Sequence, residues 1–141
     1  MIDEELTFVD TNVLVCAHDS SEKEKQPVAK KLLGRLWERH LGALSTQVLQ
    51  EFYVVATRKF SPPLARSTAR QIIGLYAAWP LVKIDLALIL TASESEERDQ
   101  LSFWDALIVE AARRAGATRI VSEDFQHERT LNGVRIINPF A

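Results

Sequence analysis

Short apolar runs alternate with longer amphipathic stretches along this chain, and a parallel sheet joined by helical crossovers is the arrangement that satisfies such a pattern. The first strand is expected at residues 6–10, rich in β formers, with Asp10-Thr-Asn12 reading as a turn. Pro27 suits a helix N-terminus, and Val28, Leu32, Leu33, Leu36 and Trp37 recur at helical spacing to His40, with Lys30, Lys31, Arg35 and Arg39 on the other face. A strand at 41–45 precedes a helix that Ser45 or Thr46 caps and that runs to Lys59. Ser61-Pro-Pro63 breaks the chain, since proline has no amide donor and restricts its predecessor. Helix is expected at 67–78, strand at 81–84 and helix at 86–95. Ser102 caps a further helix that Gly116 stops, and strands at 119–122 and 134–137 close the chain, the last after an Asn132-Gly133 turn. The expected order is β-α-β-α-α-β-α-α-β-β.

A length of 141 residues fits one domain, 1–141, and 47% apolar with 26% charged residues excludes a disordered chain. The net charge of −2 does not announce a nucleic-acid binder. The acidic start, Met1-Ile-Asp-Glu4, is unlike a basic secretory leader, and no apolar run approaches the ~18 residues that cross a bilayer. The expectation is a cytoplasmic protein without a membrane partner. The lone Cys16 can neither form an internal disulfide nor found a zinc site, and reads as a small buried hydrophobe.

Ligands of open α/β sheets bind beyond the carboxyl ends of the strands. Asp10 ends the first strand and Asp124 follows the strand at 119–122, so both can face one crevice. Spacing alone says less about Glu51, inside a helix, and Asp105, in the first turn of another. Taken singly, such acids are turn formers, dipole partners or solvated side chains. Yet Glu51 lies among Leu49, Phe52 and Tyr53, and Asp105 among Phe103, Trp104 and Ala106, which turns both toward the core. Carboxylates ~5 Å apart repel by roughly 3 kcal/mol at an effective dielectric near 20. A cation reverses that sign, and oxygen-only ligands select hard ions such as Mg²⁺ or Mn²⁺, which serve phosphoryl chemistry by lowering the pKa of water and stabilising a leaving oxygen.

At these residues the sequence resembles the PIN-domain nucleases, in particular the small VapC-like toxins of toxin-antitoxin pairs. The resemblance rests on Phe8-Val-Asp-Thr-Asn12, Ser45-Thr-Gln-Val-Leu-Gln-Glu51-Phe52, Ser102-Phe-Trp-Asp105-Ala-Leu-Ile108 and Ile120-Val-Ser-Glu-Asp124-Phe-Gln126, in that order. The closing Ile136-Ile-Asn-Pro-Phe140 is similar to one branch of the family. It implies a three-layer α/β/α sandwich with a parallel central sheet, and Mg²⁺- or Mn²⁺-dependent hydrolysis of RNA by a metal-activated water. It also implies that Asp10, Glu51, Asp105 and Asp124 are the catalytic, metal-binding acids. Asp10 and Asp105 would bind directly, and Glu51 and Asp124 directly or through water, with Asn12 and Ser122 in support. Whether Glu123 joins or replaces Asp124 is left open. A cognate antitoxin and a homodimer are the protein partners implied, with Leu86, Leu88, Ile89 and Leu90 apolar enough for an interface and equally suited to the core. The branch also leads one to expect glycine near position 128, where this chain has Glu128.

His127 reads as a surface or loop-structuring residue rather than a general acid, and Trp104 and Tyr53 as core packing rather than platforms for bases. Without the four acids, 17 cationic residues stand against 15 acidic ones, a mildly basic remainder. Arg58, Lys59, Arg66, Arg70, Arg113 and Arg114 are then candidate phosphate contacts. Two other classes compete: a phosphatase or phospho-acceptor domain with Asp10 as nucleophile, and a binding module that holds metal or basic partners without catalysis.

Overall fold

The structure, a computed structural model, describes residues 5–125 and 127–141; the acidic start at 1–4 and Gln126 of the fourth motif lie outside the described residues. In chain order the elements are β1 (Thr7–Val9), α1 (Thr11–His18), α2 (Lys25–Arg39), β2 (Gly42–Ser45), α3 (Thr46–Arg58), α4 (Arg66–Tyr76), β3 (Leu81–Val82), α5 (Leu86–Asp99), α6 (Phe103–Ala115), β4 (Arg119–Val121), β5 (Thr130–Leu131) and β6 (Val134–Ile137). They form the mixed α/β architecture expected from the alternation. The strand order is β3-β2-β1-β4-β6-β5, and every pairing is parallel except the β5–β6 hairpin.

Two departures from the sequence reading have local causes. Asp10-Thr-Asn12 reads as a turn with no helix before the one at Pro27, but Thr11–His18 form α1, because the Asp10 carboxylate accepts from Thr11 N and caps a helix that buries Val13, Leu14, Cys16 and Ala17. The Asn132-Gly133 turn, with both residues at positive φ, makes a hairpin and therefore adds β5 ahead of the expected last strand. Boundaries elsewhere shift by a few residues, most of all in α5, which continues to Asp99.

Helices α1–α3 pack together on one face of the sheet, while α6 covers the other and carries α5 outside it. Covered on both faces, β1 is wholly buried, and Phe8 pairs with Ala43 on one side and Ile120 on the other. The chain leaves β1 toward β2 and β3, then crosses back to lay β4 on the opposite flank of β1. That reversal opens a crevice at the carboxyl ends of β1 and β4.

Beneath α2 and α4, Trp37, Tyr76 and Trp79 form an aromatic cluster with centroids 5.2–5.6 Å apart. Trp79 lies against Gly42 so closely that a Cβ there would meet its ring well inside van der Waals contact. Overpacking of this kind costs about 1–3 kcal/mol. Gly42→Ala should lower the urea midpoint by a corresponding amount, and an unchanged midpoint would show that the ring moves aside freely.

Candidate functional site

Asp10 is buried at the end of β1, 5% exposed. Its Oδ1 accepts from Thr11 N at 2.7 Å, and its Oδ2 accepts from Ser122 Oγ at 2.7 Å and from Asn12 Nδ2 at 3.5 Å. The register explains Ser122: Val9 pairs with Val121, so the next residue of each strand emerges side by side. Ser122 Oγ also accepts from Asp124 N at 3.1 Å and Asn12 Nδ2 at 3.2 Å, while Asn12 Oδ1 accepts from Glu123 N at 3.1 Å. Asn12 and Ser122 thus lock the turn after β4 to the start of α1.

The other three acids stand on or just after different elements. Glu51 stands on α3, which leaves the carboxyl end of β2, and its Oε2 accepts from Thr11 Oγ1 at 2.9 Å while its Oε1 accepts from Gln47 Nε2 at 3.1 Å. Asp105 lies in the first turn of α6, its backbone N–H donating to the Ser102 cap at 3.1 Å. Because α6 returns the chain to the start of β4, its N-terminus must lie at the strands' carboxyl edge. Asp124 follows β4 in the Ser122-bound turn. Glu51 is exposed and Asp105 half-buried, while Leu49, Phe52 and Ala106 beside them pack inward.

The charges of Asp124 and Glu51 are felt at both Asp10 and Asp105. Burial pushes the Asp10 pKa up from 3.8 to about 6; the Ser122 and Thr11 hydrogen bonds oppose this, while the charges of Asp124 and Glu51 add to it. The Asp105 carboxyl is also raised, by desolvation first, against the Ser102 hydrogen bond, with Asp124 and Glu51 again adding. Among the described residues no ion pair joins any of the four acids to a cation, and no three His, Cys, Asp or Glu side chains stand close enough together to hold a metal ion between them. The donors are all hard oxygens whose negative charge is unmatched, a set that fits a divalent cation such as Mg²⁺ or Mn²⁺.

Several side chains lie elsewhere than the sequence suggested. Trp104 is 63% exposed rather than packed in the core: it precedes Asp105 on α6, turns outward, and meets Phe103 edge-on at 5.3 Å. Glu123 is ion-paired with Lys25 at 2.8 Å. His127 Nδ1 accepts from Asn138 N at 3.0 Å, a loop-structuring contact. Glu128 has a φ of 64°, so the backbone takes the left-handed form that glycine favours although a glutamate occupies it. Arg113 and Arg114 pair with Glu110 and Asp85 in the last turn of α6, at the far end of the helix from Asp105. Arg58 and Lys59 end α3 away from Glu51. Leu88 is buried, whereas Leu86, Ile89 and Leu90 are exposed. Thr11 and Gln47 were not singled out from the sequence; Gln47 stands one helical turn before Glu51, a spacing that carried the signal.

The family model of the PIN domain matches residues 7–131. The chain belongs to the PIN-domain family. Among solved structures it is similar to VapC20 of Mycobacterium tuberculosis, a toxin that cleaves the sarcin-ricin loop, at 24% identity and a TM-score of 0.67 over 92% of this chain and 98% of that one. It is also similar to a chain of a toxin-antitoxin complex from Klebsiella pneumoniae, at 17% identity and a TM-score of 0.69 over 94% and 97% of the two chains. A chain of DNA-bound VapBC from Salmonella typhimurium matches at 16% identity and a TM-score of 0.63 over 92% and 95%. No curated protein matches the chain by sequence. These likenesses extend the PIN fold over nearly the whole chain, with the crevice at its switch point.

Asp10 also sets a pH dependence for this PIN domain. Its folded pKa of about 6 exceeds its unfolded value of about 3.8, so between them the folded state holds the extra proton. The resulting stability is fully present below pH ~3.8 and lost as pH rises through ~6, by up to about 3 kcal/mol. In metal-free buffer Asp10→Asn should flatten this fall and be more stable than the parent at pH 7 by chemical denaturation. Equal stability of the two at pH 7 would contradict the burial penalty.

Proposed function

We propose that this PIN-domain protein is a divalent-metal-dependent endoribonuclease, the toxin of a toxin-antitoxin pair acting in the cytoplasm. One observation carries the reading: Asp10, buried at the end of β1 without a cationic partner, has its pKa raised to about 6, and the charges of Asp124 and Glu51 add to the rise at both Asp10 and Asp105. Asp10 and Asp105 would hold Mg²⁺ or Mn²⁺ directly, and Glu51 and Asp124 directly or through water. A cation bound there supplies a water of lowered pKa and offsets charge on the scissile phosphate. Ser122, Thr11 and Asn12 fix the Asp10 carboxylate, and the Ser102 cap fixes the turn that carries Asp105. Trp104 presents an exposed aromatic face beside Asp105 on which a base of single-stranded RNA can stack.

Resemblance to toxin-antitoxin assemblies supports a cognate antitoxin as partner. The exposed Leu86, Ile89 and Leu90 of α5 supply an apolar strip for a homodimer. Asp10 makes a poor phospho-acceptor, because the residue two positions on is Asn12 rather than a second acid.

Purified protein should cleave RNA with Mg²⁺ or Mn²⁺ and lose activity in a chelator. Asp10→Asn should lose more than about a hundredfold in kcat, since changing residues that merely support a metal ligand already costs up to that much. Mn²⁺ binding without cleavage of any RNA tested would favour the non-catalytic binding module. Trp104→Ala should raise KM for single-stranded RNA about fivefold or more, given ~1 kcal/mol or more per stacked base, and change kcat little. An unaltered KM would remove Trp104 from the RNA-binding surface.

A further inference from the structure

We infer that Gln47 is a positioning residue of the crevice: its side-chain amide clamps the Glu51 carboxylate of α3 to the first turn of α6. The inference rests on the reading of the crevice as a metal site and adds a residue that the acidic set does not contain. Gln47 is 5% exposed. Its Nε2 donates to Glu51 Oε1 at 3.1 Å and to the Trp104 carbonyl at 3.4 Å, one residue before Asp105. Thr11 Oγ1 holds the other oxygen, Glu51 Oε2, at 2.9 Å. The carboxylate is therefore gripped on both oxygens, although the residue itself is exposed and a free glutamate there would sample several rotamers.

The amide orientation follows from its partners. Turned over, Gln47 would bring an oxygen against two acceptors, so only the N–H₂ edge can face Glu51 and Trp104. The Oε1 that remains is buried and has no hydrogen-bond partner. A buried polar atom left unsatisfied opposes folding, and an apolar side chain of similar shape would avoid that penalty. Gln47 thus gives up local stability, and in return its two donated bonds couple the elements that carry Glu51 and Asp105. Loss of those bonds frees Glu51 to move and leaves the approach of α6 to α3 less defined at the acidic end.

The test uses the whole chain as Gln47→Met, with Gln47→Leu as a second apolar variant should the first fail to fold. Mn²⁺ binding is measured by calorimetry, with thermal unfolding and RNA cleavage alongside. The expected result is a Tm equal to or above that of the parent, Mn²⁺ affinity weaker by roughly tenfold, and kcat reduced by a similar factor with KM for RNA within about twofold. Unchanged Mn²⁺ affinity and kcat would overturn the proposal. A lowered Tm with Mn²⁺ affinity retained would overturn it too, by making Gln47 a packing residue. Failure of the parent itself to bind Mn²⁺ would overturn the metal-site reading and the role of Gln47 together, whereas a parent that binds beside indifferent variants would leave that reading intact.

Discussion

A carboxylate almost removed from water at the end of the central strand is the constraint around which the rest is arranged. Asp10 is kept there by three donors, Thr11 N, Ser122 Oγ and Asn12 Nδ2, and each comes from a different requirement of the fold. Thr11 N is the free amide of a helix start, Ser122 arrives because β1 and β4 pair in register, and Asn12 is the second residue of the helix that Asp10 caps. A one-residue slip of β4 would carry Ser122 to the other face and strip Asp10 of its shortest side-chain bond. Even with all three donors in place, burial outweighs them and the group titrates near 6. The hydrogen bonds set where the carboxylate points; they do not neutralise it.

What the sequence made legible follows from which contacts are local. Strand ends are visible as the close of an apolar run, so Asp10 and Asp124 could be nominated together from spacing alone. Asp105 becomes legible once the direction of α6 is considered. A helix that feeds a parallel strand must run back along the sheet, and its N-terminal turn then lies at the edge where strands end. Gln47 was opaque for a different reason: its value lies in the Trp104 carbonyl, 57 residues away in sequence. The apolar neighbours Phe103 and Ala106 suggest a core position for Trp104 that it does not take. Adjacent helical residues point about 100° apart, so Phe103 can pack inward while Trp104 faces out.

The backbone at 128 shows that a loop's shape can outlast the residue that makes it easy. Glu128 N donates to Ile136 O at 2.7 Å, and His127 Nδ1 takes the Asn138 amide, so the β6 strand and the segment after it hold the left-handed turn in place. Non-glycine residues in that region cost roughly 1–2 kcal/mol, which two such bonds can offset. The departure from glycine therefore changes the charge of the loop more than its course.

The opposite end of α6 supplies the contrast that gives the crevice its meaning. Glu110 is also buried, 3% exposed, yet it accepts from Ser95 Oγ at 2.6 Å, Arg113 Nη1 at 2.7 Å and Asn132 Nδ2 at 3.1 Å, and ties α5, α6 and the β5–β6 turn together. There the chain matches a buried acid with a cation and satisfies its oxygens, as stability requires. At its other end the same helix carries Asp105 within electrostatic reach of Asp124 and Glu51, which also act on Asp10, and the described residues provide no cation for any of the four. Two buried acids, Glu110 and Asp10, thus meet opposite treatment within one short domain core: one is neutralised by the fold, the other is left for something outside the fold to neutralise. Unmatched charge at a sheet's switch point is costly to the folded state, and a cation bound from solution would recover that cost as binding free energy.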